Sequence, residues 1–384
     1  MSKTFQFNSV ASIQVEHGGA RHLSKLVQRL GCRRVLLVSD PGVVGAGLLA
    51  GAVAGLQEAG LASSVYADVQ ADPPEALVHA AVRTATESGA DCIVGFGGGS
   101  SLDVAKLVAL LATGQQKLQD IYGVNLATGG RLPLVLVPTT SGTGSEVTPI
   151  SIVTTGEGEK KGVVSPLLLP DVAVLDAQLT LGLPPHITAA TGVDAMVHAI
   201  EAYTGRIRKN PISDCFAREA LRLLSGSIHA ACRHGHELAP REDMLLGACL
   251  AGIAFANSPV AAVHALAYPI GAQFHVPHGL SNSLVLPHVA KFNLDAAQEQ
   301  YAELYDIVQP QGSGDAAEKA GKFVDYLRSL PAALGLPTRL RDVGVTETSI
   351  ASLAQDAMKQ TRLLVNNPRE VTLDAAARIY TEAL

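Results

Sequence analysis

The chain has 384 residues, 47% of them hydrophobic and 17% charged, with a formal net charge of −6. That length holds two domains with substantial cores, and the acidic balance without a long basic run excludes a nucleic-acid footprint in favour of small-molecule partners. Five cysteines (Cys32, Cys92, Cys215, Cys232 and Cys249) include no close pair, which fits a reducing compartment and neither a disulfide framework nor a zinc ribbon.

The first eight residues lack the apolar core of a signal peptide, so a cytoplasmic location is expected. From residue 34 onward, short apolar β-branched runs alternate with longer helical ones. A strand at 35–38 precedes a helix over 45–59, a strand at 64–66 precedes a helix over 74–88, and a strand at 93–96 precedes a helix over 101–112. Such alternation predicts parallel strands with crossover helices. Further strands are expected at 134–137, 147–155, 162–165 and 172–175, with a turn at 156–159 between two of them. After Pro184-Pro185 the strand signal fades, and the remainder reads as helical. The expected organisation is therefore an open, mostly parallel α/β domain over 1–185 and an all-helical domain over 186–384, with an exposed loop at 309–315. Residues 245–270 carry no Asp, Glu, Lys or Arg, but Asn257-Ser258-Pro259 breaks the stretch into pieces too short to span a bilayer. Buried helices explain it better.

The third strand runs into Gly95-Phe-Gly-Gly-Gly-Ser-Ser101 and then Leu-Asp-Val-Ala-Lys106 at a helix start. Glycines let the backbone approach an anion, and the free amides of a helix start attract negative charge. The turn is neither a Gly-x-Gly-x-x-Gly fingerprint, which needs glycine where Ser100 stands, nor a P-loop. A tight turn without a ligand is the plainer reading. Asp40 closes the first strand, where an acid can take ribose hydroxyls and repel a 2′-phosphate; an Asx turn with Pro41-Gly42 is the alternative. After the strand at 134, Pro138-Thr-Thr-Ser-Gly-Thr-Gly-Ser-Glu-Val-Thr148 concentrates hydroxyls and glycines where open α/β sheets bind ligands, unless it is merely a Ser/Thr-rich loop.

Asp194 and His198 stand four apart in a largely apolar helical stretch, a spacing that puts both on one face. A satisfied surface carboxylate accounts for the pair alone. The apolar surroundings make an unpaired Asp194 expensive, however, and His264 in the uncharged stretch also needs a partner. With His278, three imidazoles and a carboxylate suit a divalent ion such as iron(II) or zinc. His234, His236, His186 and His288 read as ordinary surface or boundary residues.

These segments, with Gly192-Val-Asp-Ala-Met-Val-His-Ala-Ile-Glu201, His264 through Gly271, Pro277-His-Gly279 and Asn367-Pro-Arg369, together resemble the iron-containing (group III) alcohol dehydrogenases nearly end to end. The resemblance implies a dehydroquinate synthase-like architecture: a dinucleotide-binding α/β domain, an all-α domain, and a cleft between them holding NAD and one metal. It implies Asp194, His198, His264 and His278 as ligands. Gly97, Gly98, Gly99, Ser100 and Ser101 would take the pyrophosphate, Asp40 the adenosine ribose, and Thr139, Thr140 and Thr143 the phosphates and nicotinamide side. Thr148 falls in the same hydroxyl-rich segment. Lys161 in a hairpin would reach the nicotinamide ribose, and Leu179 to Gly182 would line the cofactor. The implied activity is hydride transfer between NAD(H) and a small primary alcohol or aldehyde, by a cytoplasmic homodimer with no nucleic-acid or membrane partner. Two positions depart from the family pattern. Tyr268 stands where many relatives carry a proton-relaying histidine, which makes His275 and Tyr268 the candidates for that task. Asp72 stands where relatives place an asparagine near the adenosine. Same-scaffold alternatives are a maleylacetate reductase, a polyol dehydrogenase or a dehydroquinate synthase-like lyase; a noncatalytic nucleotide- or metal-binding protein is the more distant one.

Overall fold

The computed structural model describes residues 4–156 and 159–384, and the chain divides into two compact units. One is Asn8–Gly182; the other joins Leu183–Leu384 with the described residues up to Phe7. Those first residues go with the helical unit because Phe7 stacks on Phe216, their ring centroids 6.0 Å apart.

In the α/β unit the elements are β1 (Ile13–Val15), α1 (Leu23–Arg29), β2 (Arg34–Val38), α2 (Pro41–Gly45), α3 (Ala50–Glu58), β3 (Ala62–Tyr66), α4 (Glu75–Glu87), β4 (Cys92–Gly97), α5 (Gly99–Leu111), β5 (Gly123–Val124), β6 (Leu134–Pro138), β7 (Ile150–Thr155), β8 (Glu159–Val164) and β9 (Val172–Leu175). Six strands form one sheet in the order β1-β9-β6-β4-β2-β3, every neighbouring pair parallel. Every residue of β4 and of β6 is buried, as a parallel sheet covered on both faces requires. Alternate side chains feed two cores. Leu36, Ile93, Leu134 and Leu136 pack with α4 and α5, while Val35, Leu37, Val94, Phe96, Val135 and Val137 pack with α1 and α3. A second, three-stranded sheet holds β5, β8 and β7, with β7 and β8 antiparallel.

The structure departs from the sequence expectation in several places. The helix expected from residue 45 to 59 is found only over Ala50–Glu58 as α3; a separate short helix, α2, ends at Gly45, and between the two Gly47 turns left-handed at φ 70°. The strand expected from 147 begins at Ile150, because Ser145–Val147 forms a 3-10 turn instead. Of the turn at 156–159, residues 157 and 158 lie outside the described residues. Strands β1 and β5 have three and two residues, too few for a periodic signal.

The helical unit comprises α6 (Pro185–Thr204), α7 (Pro211–Arg233), α8 (Leu238–Asn257), α9 (Ala262–Phe274), α10 (His278–Asn293), α11 (Gln298–Val308), α12 (Ala316–Ala333), α13 (Ile350–Met358), α14 (Thr361–Leu364) and α15 (Leu373–Ala383). Pro185 opens α6 at its first turn, where the missing N–H costs nothing. The uncharged stretch forms the second half of α8 and most of α9, bent by 106° at the Ser-Pro break, and most of its apolar residues are core. Among the described residues no single helix is long and apolar enough to cross a membrane.

Candidate functional site

Strand order reverses between β2 and β4: the chain leaves β2 for β3 on one side and β4 for β6 on the other. Open α/β sheets bind ligands in the crevice at such a switch point, beyond the carboxyl ends of the strands. Asp40 follows β2 there, Gly97–Ser101 follow β4, and Thr139–Thr143 follow β6. Gly97 adopts φ 154°, and a Cβ on it would lie 2.7 Å from Ser101 Oγ and 2.9 Å from Asp40 Oδ2, so only glycine fits this turn. Helix α5 starts from Gly98 with no side-chain cap, leaving amide donors directed at the crevice. Thr140 stands beside Gly98, and Thr143 beside Gly99.

Asp40 is a helix cap. Its Oδ1 accepts from Val43 N at 3.0 Å, and its Oδ2 accepts from Ser101 Oγ at 3.0 Å, so one carboxylate ties the ends of β2 and β4 together. Thr148 is 2% exposed, and its hydroxyl accepts from Lys106 Nζ at 3.2 Å. Lys106 is itself fully buried, donating to Ile150 O at 2.7 Å and reaching Asp103 Oδ1 at 3.4 Å. Ser145 Oγ donates to the same Asp103 oxygen at 2.6 Å. This network staples the hydroxyl-rich loop to α5 and β7, and burial lowers the Lys106 ammonium pKa against the upward pull of Asp103. Leu179 packs into the core beside Phe96 and Val137. Asp72, left-handed at φ 52°, accepts from Lys160 Nζ at 2.6 Å, whereas Lys161 Nζ lies 5.9 Å above the Tyr122 ring.

In the helical unit, α6 carries Asp194 and His198 one turn apart, α9 carries His264, and His278 is the first residue of α10. Gly279 permits the convergence: a Cβ there would sit 2.3 Å from Ala190 O and 3.3 Å from Asp194 Cβ. One ligand atom from each of the four residues lies within 4.8 Å of the others. Asp194 Oδ1 is 3.5 Å from His278 Nε2 and 3.8 Å from His264 Nε2. Burial pushes the Asp194 carboxyl up, but the imidazoles of His198, His278 and His264 and the Asn282 amide outweigh it and hold the group below the usual carboxylate range.

Two further residues complete the arrangement, and the sequence reading gave neither a role. Glu201 is 4% exposed and accepts from His264 Nδ1 at 2.7 Å. A carboxylate only accepts, so the imidazole proton stays on Nδ1 and the Nε2 lone pair faces the cluster. Asn282 Nδ2 donates to Asp194 Oδ1 at 2.6 Å and lies 3.2 Å from His264 Nε2 and 3.3 Å from His278 Nε2. Three acceptor atoms thus converge on one positively polarised group, the chemistry a cation requires. With three nitrogen donors and one oxygen the set fits iron(II) or zinc. The signal for both residues was spacing: Glu201 falls seven after Asp194 on the same helical face, and Asn282 four after His278.

The His198 ring stacks on Phe255, centroids 4.3 Å apart, and on His264 at 4.7 Å. Tyr268 stands at the rim, its ring 5.8 Å from His278 and 6.4 Å from His264. His275 is an exposed, left-handed C-cap of α9. Of the two relay candidates the structure brings Tyr268 to the cluster.

Comparison with known proteins agrees with this geometry. A family model described as "Iron-containing alcohol dehydrogenase" matches residues 11–177, and one described as "Fe-containing alcohol dehydrogenase family, C-terminal" matches 188–384. Among curated relatives, a long-chain-alcohol dehydrogenase 1 of Geobacillus thermodenitrificans is 40% identical over 95% of this chain and 93% of its own length. A lactaldehyde reductase of Escherichia coli is 33% identical over 95% of this chain and 96% of its own. Among solved structures, a 1,3-propanediol oxidoreductase superposes with a TM-score of 0.96 at 33% identity, covering 100% of both chains. A sulfoacetaldehyde reductase from Bifidobacterium kashiwanohense in complex with NAD+ superposes at 0.90 with 28% identity, over 100% of this chain and 99% of its own. With both family models matched in chain order across nearly the whole sequence, the protein belongs to the iron-containing alcohol dehydrogenase family.

Proposed function

We propose that this enzyme interconverts a small primary alcohol and its aldehyde with NAD(H), using one divalent metal held by Asp194, His198, His264 and His278. The observation that carries the reading is the convergence of those four ligand atoms within 4.8 Å in a buried site. A bound cation supplies a Lewis acid that polarises a carbonyl oxygen or lowers the pKa of an alcohol. Glu201 and Asn282 orient the donors. Three of the four residues are buried while the His278 side chain keeps 33% exposure, so a substrate has one side from which to approach. Phe255 and Tyr268 make that surrounding aromatic and apolar, which favours small, weakly charged substrates.

Bound NAD(H) supplies the hydride acceptor or donor. The turn Gly97–Ser101 and the uncapped start of α5 take its pyrophosphate, with Thr139, Thr140 and Thr143 on the adjoining loop. Asp40 reads the adenosine ribose and favours NAD over NADP. Thr148, through Lys106, and Leu179, through its packing, shape the wall of this pocket; Asp72, Lys161 and Gly182 belong to its outer edge. Tyr268 holds the exchangeable proton beside His278 in preference to His275. The enzyme works as a cytoplasmic homodimer, a reading supported by the apolar edge of β1, where Ile13 is 37% and Val15 60% exposed. The test is NADH consumption with a panel of small aldehydes after anaerobic loading with iron(II) or zinc. Turnover that depends on added metal is expected; metal-independent turnover, or none with any aldehyde, refutes the proposal.

A further inference from the structure

The α6 face that bears Asp194 and His198 continues, one turn on, to Glu201, and the three positions (i, i+4, i+7) form a single stripe. What Glu201 touches lies on another helix. Helix α9 has Ala261 at its N-cap, which offers no side chain able to cap it. Its first amides would be orphaned inside a core, a costly arrangement. Glu201 answers that need: Ala261 N donates to Oε2 at 2.9 Å and Val263 N donates to Oε1 at 2.7 Å. The same Oε2 accepts from His264 Nδ1 at 2.7 Å. One buried carboxylate therefore holds three N–H donors from four consecutive residues, two of them backbone and one the ligand ring.

We infer that Glu201 is a positioning residue of the metal centre, which caps α9 and locks His264 in the tautomer and orientation that aim Nε2 at the ion. The inference rests on the metal-centre reading above and deepens it. Capping fixes where the His264 backbone sits, and the third hydrogen bond fixes which way the ring faces, so the position of one ligand is set from the helix that supplies two others. A neutral acceptor does not substitute: an amide at this position offers one oxygen to three donors and turns its own N–H groups toward the others. The negative charge also suits a helix start.

The test uses the full-length protein, stripped of metal and reloaded with cobalt(II) or zinc against a competing chelator. Glu201→Gln is expected to weaken metal binding by about 10- to 100-fold, the usual effect of losing an outer partner of a ligand histidine. It should also alter the cobalt(II) visible spectrum, and long-range proton–nitrogen NMR should find His264 no longer in a single tautomer. Circular dichroism and NAD affinity should stay at parental values. A folded Glu201→Gln protein with parental metal affinity, cobalt spectrum and tautomer overturns the inference; so does one whose only change is a lower melting temperature, the result of capping alone. Should Glu201→Gln not fold, Glu201→Asp keeps the charge one methylene short and is expected to bind metal more weakly, and parental affinity there overturns the inference equally. His264→Ala serves as control. If it retains metal, the metal centre itself is misassigned, whereas a metal-free His264→Ala beside an unaffected Glu201 variant sinks only the part given to Glu201.

Discussion

Replacing His264 with alanine removes one of four donors from a site 2% exposed at that residue. Losing merely an outer partner of a ligand histidine costs up to about 100-fold in metal affinity, so losing the donor itself should exceed that, or about 2.7 kcal/mol. The loss can be read as heat stability. Metal at about 100 times its Kd stabilises the folded state by about 2.7 kcal/mol. For a unit of this size each kcal/mol moves Tm by about 2–4 °C, so metal should raise the parental Tm by about 5–11 °C. In His264→Ala that metal-linked rise should nearly vanish. The variant also leaves Glu201 one donor short and opens a cavity, which lowers the metal-free Tm, so the difference with and without metal is the quantity to compare. Differential scanning with and without iron(II) or zinc, elemental analysis after gel filtration, and titration of NADH fluorescence complete the assay. NADH should still bind, because every group assigned to it lies in the α/β unit. Metal retained at the parental stoichiometry, or an undiminished metal-linked shift, refutes the ligand assignment.

Asp40→Gly should narrow the preference for NAD over NADP in calorimetric titrations while costing only about 0.3 kcal/mol of stability from the lost α2 cap, since glycine is itself tolerated at that position; an unchanged ratio of the two affinities shows that Asp40 does not read the ribose. Gly97→Ala forces a side chain into a φ of 154° within 3 Å of Ser101 and Asp40, and should destabilise the α/β unit by about 1–3 kcal/mol and weaken NAD binding while metal content is unaltered. Acid stability should depend on Arg131. Burial pushes the Asp171 carboxyl up, but Arg131 at 2.7 Å and the Leu134 amide hold it below the usual carboxylate range. A carboxyl whose folded pKa is depressed contributes stability present above its unfolded pKa and lost as pH falls through the folded one. Arg131→Leu should therefore flatten the acid limb of stability below about pH 4 in urea titrations at stepped pH, and an unchanged limb counts against the pairing.

The cluster of Asp194, His198, His264 and His278 was legible because it is written in spacing: Asp194 and His198 a turn apart in an apolar helix, and two histidines in or beside a stretch without charge. The alternating elements were legible for the same reason, since buried β-branched strands such as β4 and β6 contrast sharply with the helices between them. Strands β1 and β5 were not, being too short to show a period. The break between α2 and α3 hinges on a left-handed Gly47 that a helical window averages away. Glu201 and Asn282 escaped although each shares a helical face with one of the four cluster residues, because the contacts to His264 and Asp194 that give them a role sit 63 and 88 residues off in sequence, and only packing brings those near. The different surroundings of Tyr268 and His275 were not legible either: Tyr268 lies within α9 with its ring 5.8 Å from that of His278, whereas His275 caps the end of α9, left-handed and exposed.

The uneven exposure of the four donors has a kinetic corollary. Asp194 and His264 show side-chain exposures of 3% and 2%, against 33% for His278, so a scavenging reagent arriving from solvent meets the first residue of α10 before any other. Exchange of the ion would then be gated by a single swinging imidazole, and its rate would track fraying at one helix terminus rather than unfolding of the bundle.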